Sequence, residues 1–414
     1  MTDSDGAIRT TSFQSTGSLR KDIKCLSRGN LEGAGRKLPP LEKVSEQDKI
    51  EFCIEAVPSW TALPSTIQVG TKKFASGQST SVCKVFLHGQ GAEEVQPNAC
   101  VYRFMGTIQD KDPRTLQYNE NFVVAAGQLG IAEKVYATKG MHRCTEFCEG
   151  RELFAGEESH FLGAMFEGKI PQMAHDNNPA NSVLMYDIGK VIGMFHNMPL
   201  TWISSVISAE DFAKLTTNPL CMPNYVADDH IGISEELRKR AIACLPKTGW
   251  FTEPVSMHSD LHPANMLKLD GEPNNIRIID WEEICIGHRG FDLAYFFLCC
   301  AGSSLDSRRA FARGYLSENG QAFDDKSIDA FLVDVERCMG IAVASNAALI
   351  TFFFPVYRPG AMKLFKKVLK VLETEVVGKT AEEVIERSKF ILEEGLVQRL
   401  VNEGAASACC CALM

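Results

Sequence analysis

"HSDLHPANMLKLDGEPNNIRIIDWEE", residues 258–283, is the stretch on which the reading of this chain turns. Its first eight residues cannot form one helix, because Pro263 disfavours α geometry at His262. The middle, "KLDGEPNN", is turn chemistry: Asp270-Gly271, then Pro273, Asn274 and Asn275. "IRIID" alternates apolar and polar positions and then runs out on Asp280, as a short buried strand does. The spacing predicts loop, strand, turn, strand, a hairpin-like unit that gathers Asp260, Asn265 and Asp280. Three oxygen-bearing side chains held that way suit a hard cation such as magnesium.

The chain has 414 residues, enough for two lobes and a sizeable core. Its composition, 45% hydrophobic and 23% charged, is that of a globular protein. A net charge of −9 argues against a general nucleic-acid surface. Fifteen cysteines, an odd number in a chain this long, point to a reducing, cytoplasmic compartment rather than a disulfide scaffold. The N-terminus has no apolar core of the kind a secretory signal carries. No stretch reaches the roughly 18 apolar residues of a membrane span. "LAYFFLCCAG" and "ALITFFFPV" come nearest, and both read as buried elements.

Residues 1–45 are rich in Ser, Thr, Gly and Arg and read as a flexible arm. Residues 46–150 form a small sheet-rich lobe, with strands expected over "SVCKVFL" (81–87), "ACVYRFMG" (99–106), "AEKVYATKG" and "CTEFCEG", and a helical stretch near Glu120 to Leu129. From residue 151 to 402 the pattern turns helical. Asn178 and Pro179 open a helix whose Leu184, Ile188, Val191, Ile192 and Phe195 share one face. Thr380 and Glu383 make a capping-box pattern before a helix expected over 381–401. Residues 403–414 are a tail. The fold class is therefore α+β: a β-rich first lobe, then a mostly α second lobe that holds the opening hairpin.

Moving a phosphoryl group needs few parts, and each has a candidate here. A carboxylate must orient the attacking hydroxyl, and oxygens must hold magnesium on the nucleotide phosphates. A cation must steady those phosphates, and small residues must let backbone approach them. Asp260 is the candidate orienting base; Asn265 and Asp280 are the candidate metal ligands. Gly77, Ser79 and Thr80 in "SGQST" could offer backbone N–H groups to phosphate. Arg103, a charge inside the apolar strand "CVYRFMG", needs a partner, for which Glu120 is the candidate. A zinc reading is disfavoured. His258 and His262 have a helical spacing that Pro263 denies them, and Cys144 and Cys148 lack a second pair.

These motifs resemble those of the choline/ethanolamine kinases, within the wider aminoglycoside-phosphotransferase and protein-kinase-like fold. "MHSDLHPANML" looks like that family's His-x-Asp loop ending in Asn, and "IIDWEE" like its metal motif. "GHRGFDLAYFF" resembles the Gly-Phe-Asp helix start, "VYRFMG" the ATP-contacting Arg strand and "FASGQSTSVCKV" the nucleotide loop. "VIGMFHNMPL" is similar to the helix ending in His. The likeness runs over residues 65–375. It implies a two-lobed protein-kinase-like fold, with ATP and Mg²⁺ as cofactors. Asp260 would be the catalytic aspartate, and Asn265 and Asp280 the magnesium ligands. Arg103 would contact phosphate and pair with Glu120, while Phe147 and Cys148 would form an inter-lobe hinge against adenine. His258 would be a packing residue, and Asp292 would anchor the loop by hydrogen bonds.

The resemblance further implies phosphorylation of a small amino alcohol, choline or ethanolamine, in the supply of phospholipid head groups. The chain departs from choline kinases at the amino-alcohol site. Cys299 and Cys300 stand where a Glu-Trp pair is usual, and "ASNAALITFFF" (344–354) has no tryptophan. Tyr295, Phe352, Phe353 and Tyr357 remain as candidate cage aromatics, with Asp260, Glu282 and Glu283 as candidate anionic contacts. The alternatives are a kinase for another small alcohol, such as an aminoglycoside or a sugar, and a catalytically silent, lipid-anchored binding protein. A protein kinase is disfavoured because no activation-loop landmark follows "IIDWEE". Whether the chain forms a homodimer stays open.

The ending "ASACCCALM" places Cys411 in a prenylation box whose final Met favours farnesyl, with Cys409 and Cys410 as candidate palmitate sites. One lipid chain anchors weakly, so a stable membrane tether takes a second signal. Cys411→Ser is expected to move the protein from the membrane to the soluble fraction on cell fractionation; an unchanged distribution would reject the anchor.

Overall fold

A computed structural model of the chain describes residues 44–74, 81–105, 113–153, 179–217, 233–247, 249–269, 276–300, 304–345, 358–393, 395–397 and 399–400. The arrangement is two-lobed and α+β, as expected.

The first lobe opens with helix α1, Glu46–Ala56, which the sequence reading did not anticipate. Ser45 caps it reciprocally with Asp48, so two orphan N–H groups find acceptors. Five antiparallel strands follow: β1 (Ile67–Lys73), β2 (Ser81–Gly89), β3 (Ala99–Phe104), β4 (Val135–Lys139) and β5 (His142–Glu146). They lie in the order β1-β2-β3-β5-β4. Strand β1 was also missed, because its "IQVGTKK" carries few large apolar residues. Alternation along β3 splits the sheet into two faces. Cys100, Tyr102 and Phe104 turn into a small core with Cys83, Val85, Cys144, Val57 and Trp60. The opposite face carries Arg103 directly across from Arg143. Helix α2 runs Pro113–Gln128, so Glu120 lies mid-helix rather than at its start.

The chain leaves the first lobe after β5 and enters a three-stranded sheet, β6 (Gly150–Glu152), β8 (Met266–Leu269) and β9 (Ile276–Ile278), in the order β6-β8-β9. Strands β8 and β9 are the two arms of the expected hairpin, with Met266 opposite Ile278. A second, two-stranded ribbon pairs β7 (Pro254–Met257) with β10 (Cys285–His288). Around these pack α3 (Pro179–His196), α4 (Arg289–Cys299), α5 (Leu305–Glu318), α6 (Asp325–Arg337) and α7 (Arg358–Glu375). The α3 face holds as expected, with Ile188, Ile192 and Phe195 fully buried. Every residue of α4 is buried, which accounts for the apolar run in "LAYFFLCC". Among the described residues no helix is long and apolar enough to cross a membrane.

The helix expected over 381–401 is broken. Thr380 and Glu383 do form the capping box, but the helix ends at Arg387. Ser388 leaves α geometry at φ −129° and gives its hydroxyl to Glu375 at 2.8 Å. Lys389–Glu393 is a separate short helix, and Gly395 at φ 75° turns the chain again. Arg308 reaches the carbonyls of Ile391 and Leu392, both at 3.0 Å, and so pins this end onto the lobe.

Helices α3 and α5 cross at backbone contact. A Cβ added at Gly189 would collide with the carbonyl oxygen of Phe311, and one at Gly314 with that of Tyr186. Rigid backbone cannot yield as a flexible side chain would, so overpacking here is costly. Gly314→Ala is expected to destabilise the protein by roughly 1–3 kcal/mol in denaturant titrations. A change below a few tenths of a kcal/mol would mean the helices can part freely.

Candidate active site

The loop between β7 and β8 is organised by one buried carboxylate. Asp292, on the first turn of α4, accepts the backbone N–H groups of His258 at 2.7 Å and Ser259 at 2.9 Å. That fixes Ser259 at φ 70°, a left-handed conformation uncommon outside glycine. His196, at the end of α3, gives Nε2–H to Asp292 at 3.3 Å and accepts the Tyr315 hydroxyl on Nδ1 at 2.8 Å. Burial pushes the His196 imidazole down and outweighs the opposing pull of Asp292, so the ring is neutral. His258 is fully buried and packs its ring 4.6 Å from that of Trp281. It gives Nε2–H to the Ile279 carbonyl at 2.9 Å. The anchoring by Asp292 and the packing of His258 match what the sequence suggested.

Asp260 follows on this loop. Asn265 gives its amide N–H to the Asp260 carbonyl at 2.9 Å and approaches the carboxylate at 3.3 Å. The Tyr295 hydroxyl donates to Asp260 Oδ1 at 3.0 Å, and His262 Nε2 lies 3.6 Å from Oδ2. Burial alone would raise the Asp260 carboxyl. The charge and hydrogen bond of His262, then His258 and Tyr295, hold it well below the usual carboxylate range. It is therefore an anionic acceptor, with 31% of its side chain exposed.

Asp280 is stitched to the same loop, since Ile279 N–H bonds the Asn265 carbonyl at 2.9 Å. Asp280 itself sits at φ 65°, ψ 51°. A non-glycine residue held there costs on the order of 1–3 kcal/mol, and such strain concentrates at functional sites. The structure thus brings Asp260, Asn265 and Asp280 together. Asn265 commits its amide nitrogen to the loop, which leaves its carbonyl oxygen for a cation. The Asp280 side chain is 37% exposed. Oxygen donors without sulfur or imidazole fit magnesium.

Arg103 reaches across from the first lobe. It meets Asp280 at 2.7 Å and Glu282 at 3.1 Å, not Glu120. Asn119, one residue earlier on α2, takes the inward position and ties Arg143 to the Trp281 carbonyl. The charge of Glu120 bears on Arg143 instead. Burial works against the charged Arg103, but Asp280, Glu282 and Glu133 outweigh it and raise its pKa. Glu282 is pushed up to about 7 by burial and by Asp280, with Arg103 opposing. Glu282 is thus turned toward Arg103 rather than outward as an anionic substrate contact. Glu283 is half-buried in the same turn.

Tyr295 also differs from expectation. Its ring is 1% exposed and stacks on Phe291, so it offers the cleft its hydroxyl's work on Asp260 rather than an open face. Phe147 and Cys148 lie on the segment that joins the lobes. Phe147 is stacked on Phe74 at 6.4 Å and covered by Lys84 at 3.6 Å. Cys148 is half-buried, and burial pushes its thiol up to about 12. Gly77, Ser79, Thr80, Phe352, Phe353, Tyr357 and Cys411 lie outside the described residues. The parts that sequence reasoning missed are His262 beside Asp260, Asn119, Glu133 and Arg143. Only Arg143 carried a signal, a charge beside Cys144 in the short strand "HRCTE".

Residues 152–330 match the profile of the phosphotransferase enzyme family. This stretch is a phosphotransferase-family domain. A search of curated proteins found no match to the chain. Among solved structures the chain is similar to a choline kinase from Cryptosporidium parvum Iowa II, at 17% identity and TM-score 0.47, over 81% of this chain and 98% of that one. It is similar to an ethanolamine kinase from Plasmodium vivax at 16% identity and TM-score 0.47, over 74% and 84%. A macrolide 2'-phosphotransferase from Brachybacterium faecium matches at 15% identity and TM-score 0.44, over 71% and 90%. The phosphotransferase domain holds the whole loop and hairpin around Asp260, whereas Arg103 lies before it.

Asp292→Asn keeps the shape but turns an N–H₂ toward one of the two backbone donors. Turnover is expected to fall roughly 100-fold through misplacement of Asp260, with the far-UV circular dichroism unchanged. Full turnover in that variant would show that the anchor is dispensable.

Proposed function

We propose that the protein is an ATP- and Mg²⁺-dependent kinase of a small amino alcohol, choline or ethanolamine. The observation that carries this is the meeting of Asp260, Asn265 and Asp280 on one loop-and-hairpin unit, faced by Arg103. Asp260 accepts the substrate hydroxyl's hydrogen bond and orients its oxygen for in-line attack. Because its pKa is held low, Asp260 positions the hydroxyl more than it removes the proton early. Tyr295 and Asn265 fix the carboxylate's rotamer. Asn265 and Asp280 would hold magnesium, which when bound offsets phosphate charge. Arg103, the cation of the cleft, faces the nucleotide phosphates, with Phe147 at the inter-lobe crossing against the base.

Asp260 and Glu283 are the acidic groups we assign to a cationic head group; Glu282 is engaged by Arg103. A cytoplasmic location with a lipid tether at Cys411 belongs to the same proposal: it would hold the enzyme near the membranes that consume its product.

Asp260→Ala is expected to abolish ADP release while leaving the fold and most nucleotide affinity intact; retained turnover would remove Asp260 from the chemistry. A panel of choline, ethanolamine, an aminoglycoside and a hexose, each with ATP and scored by ADP release, tests the acceptor. A best rate with either of the last two would replace the amino-alcohol assignment. No release with any, despite nucleotide binding, would favour a silent scaffold.

A further inference from the structure

Cys53, Cys100 and Cys144 come from three separate elements, α1, β3 and β5, and converge in the core of the first lobe. Their sulfurs all lie within 4.8 Å of one another, and all three residues are fully buried. None is in a disulfide. The sheet register explains the pairing: Cys100 and Tyr102 share a face of β3, and Cys144 lies opposite Tyr102 on β5. Cys53, three residues before the end of α1, closes the group from above. A buried free cysteine ordinarily behaves as a small apolar residue packed among carbons. Here three sulfurs instead lie together in the core.

We propose that these three sulfurs form a site for one Cu(I) ion. The choice of ion follows from ligand type and number. Sulfur donors select Cu(I), zinc or iron–sulfur clusters. Structural zinc takes four ligands, and iron–sulfur clusters take four cysteines. Among the described residues no fourth His, Cys, Asp or Glu joins the group, and all three cysteines are fully buried. A low-coordinate, soft, monovalent ion fits three buried sulfurs. As it binds, two thiols release their protons to solvent and become thiolates, while the third sulfur completes the coordination. The complex carries one net negative charge, and no electron is transferred. Lys49, one turn before Cys53 and 8% exposed, brings a positive charge to the same wall, where it already acts on Cys83. An occupied site would pin α1 to β3, the strand that carries Arg103 three residues after Cys100.

The tail also holds Cys409, Cys410 and Cys411, so the test starts from the full chain with all three changed to Ser. Reduced, oxygen-free protein is titrated with Cu(I) against the chelator bicinchoninate, and its melting temperature is followed. One equivalent of Cu(I) per chain should leave the chelator and raise the melting temperature by mass action. Cys100→Ala in this background should weaken Cu(I) uptake by roughly 100-fold or more and remove the thermal shift. Cys53→Ala, on the outer helix, should do the same and serves where Cys100→Ala fails to fold. No uptake by the folded parent, undiminished uptake in the alanine variants, or a preference for zinc over Cu(I) would each overturn the site.

Discussion

Two arginines stand side by side on one face of the small sheet, Arg103 across from Arg143. Like charges directly opposite in a sheet repel, and both of these are largely withdrawn from water. The arrangement persists only because carboxylates come to meet it. Glu133 comes from the same lobe; Asp280 and Glu282 come from the other. The lobes therefore touch at this point through an ionic contact, beside the packing of Phe122 on Trp281. In the proposed function the same cations would meet a polyphosphate and the same Asp280 a divalent metal, so lobe contact and ligand site would be one set of charges.

The second lobe supplies order where the first supplies charge. Asp292 converts an irregular loop into a fixed one by taking two consecutive backbone N–H groups. Trp281 does the corresponding work for the acidic turn. It packs against Phe122, Phe195 and His258 and gives its indole N–H to the Ile278 carbonyl. Among the described residues, both non-glycine residues in the left-handed region, Ser259 and Asp280, lie beside these anchors. The strain is local, and the surrounding hydrogen bonds over-determine it.

Much of this was legible in sequence because it rests on local rules. Pro263 ruled out a helix, alternation around Ile276 and Ile278 marked a strand, and Thr380 with Glu383 marked a cap. The apolar period of α3 named its buried face. What failed depended on contacts distant in the chain. The partner of Arg103 was sought in Glu120, a short distance on, and lies instead 177 residues away in Asp280. Tyr295 read as an open aromatic face, but only the packing of α4 shows that it is buried. The helix beyond Thr380 stops at Ser388 because Glu375, on another helix, offers its hydroxyl an acceptor. The cysteine cluster was invisible for the same reason, since Cys53, Cys100 and Cys144 have no spacing that a motif could express.

The crossing between lobes has a mechanical side. Immediately after Phe147 and Cys148 the chain enters β6, which pairs with β8, the hairpin arm that begins beside Asn265. Gly150 sits so close that any side chain there would strike the Lys268 carbonyl, and Leu153 N–H bonds the Met266 carbonyl at 2.9 Å. The connector is thus spliced onto the very ribbon that carries the oxygen donors. A tilt of the small sheet is geared to that ribbon, as a lever is to its fulcrum, and cannot leave the donor set undisturbed.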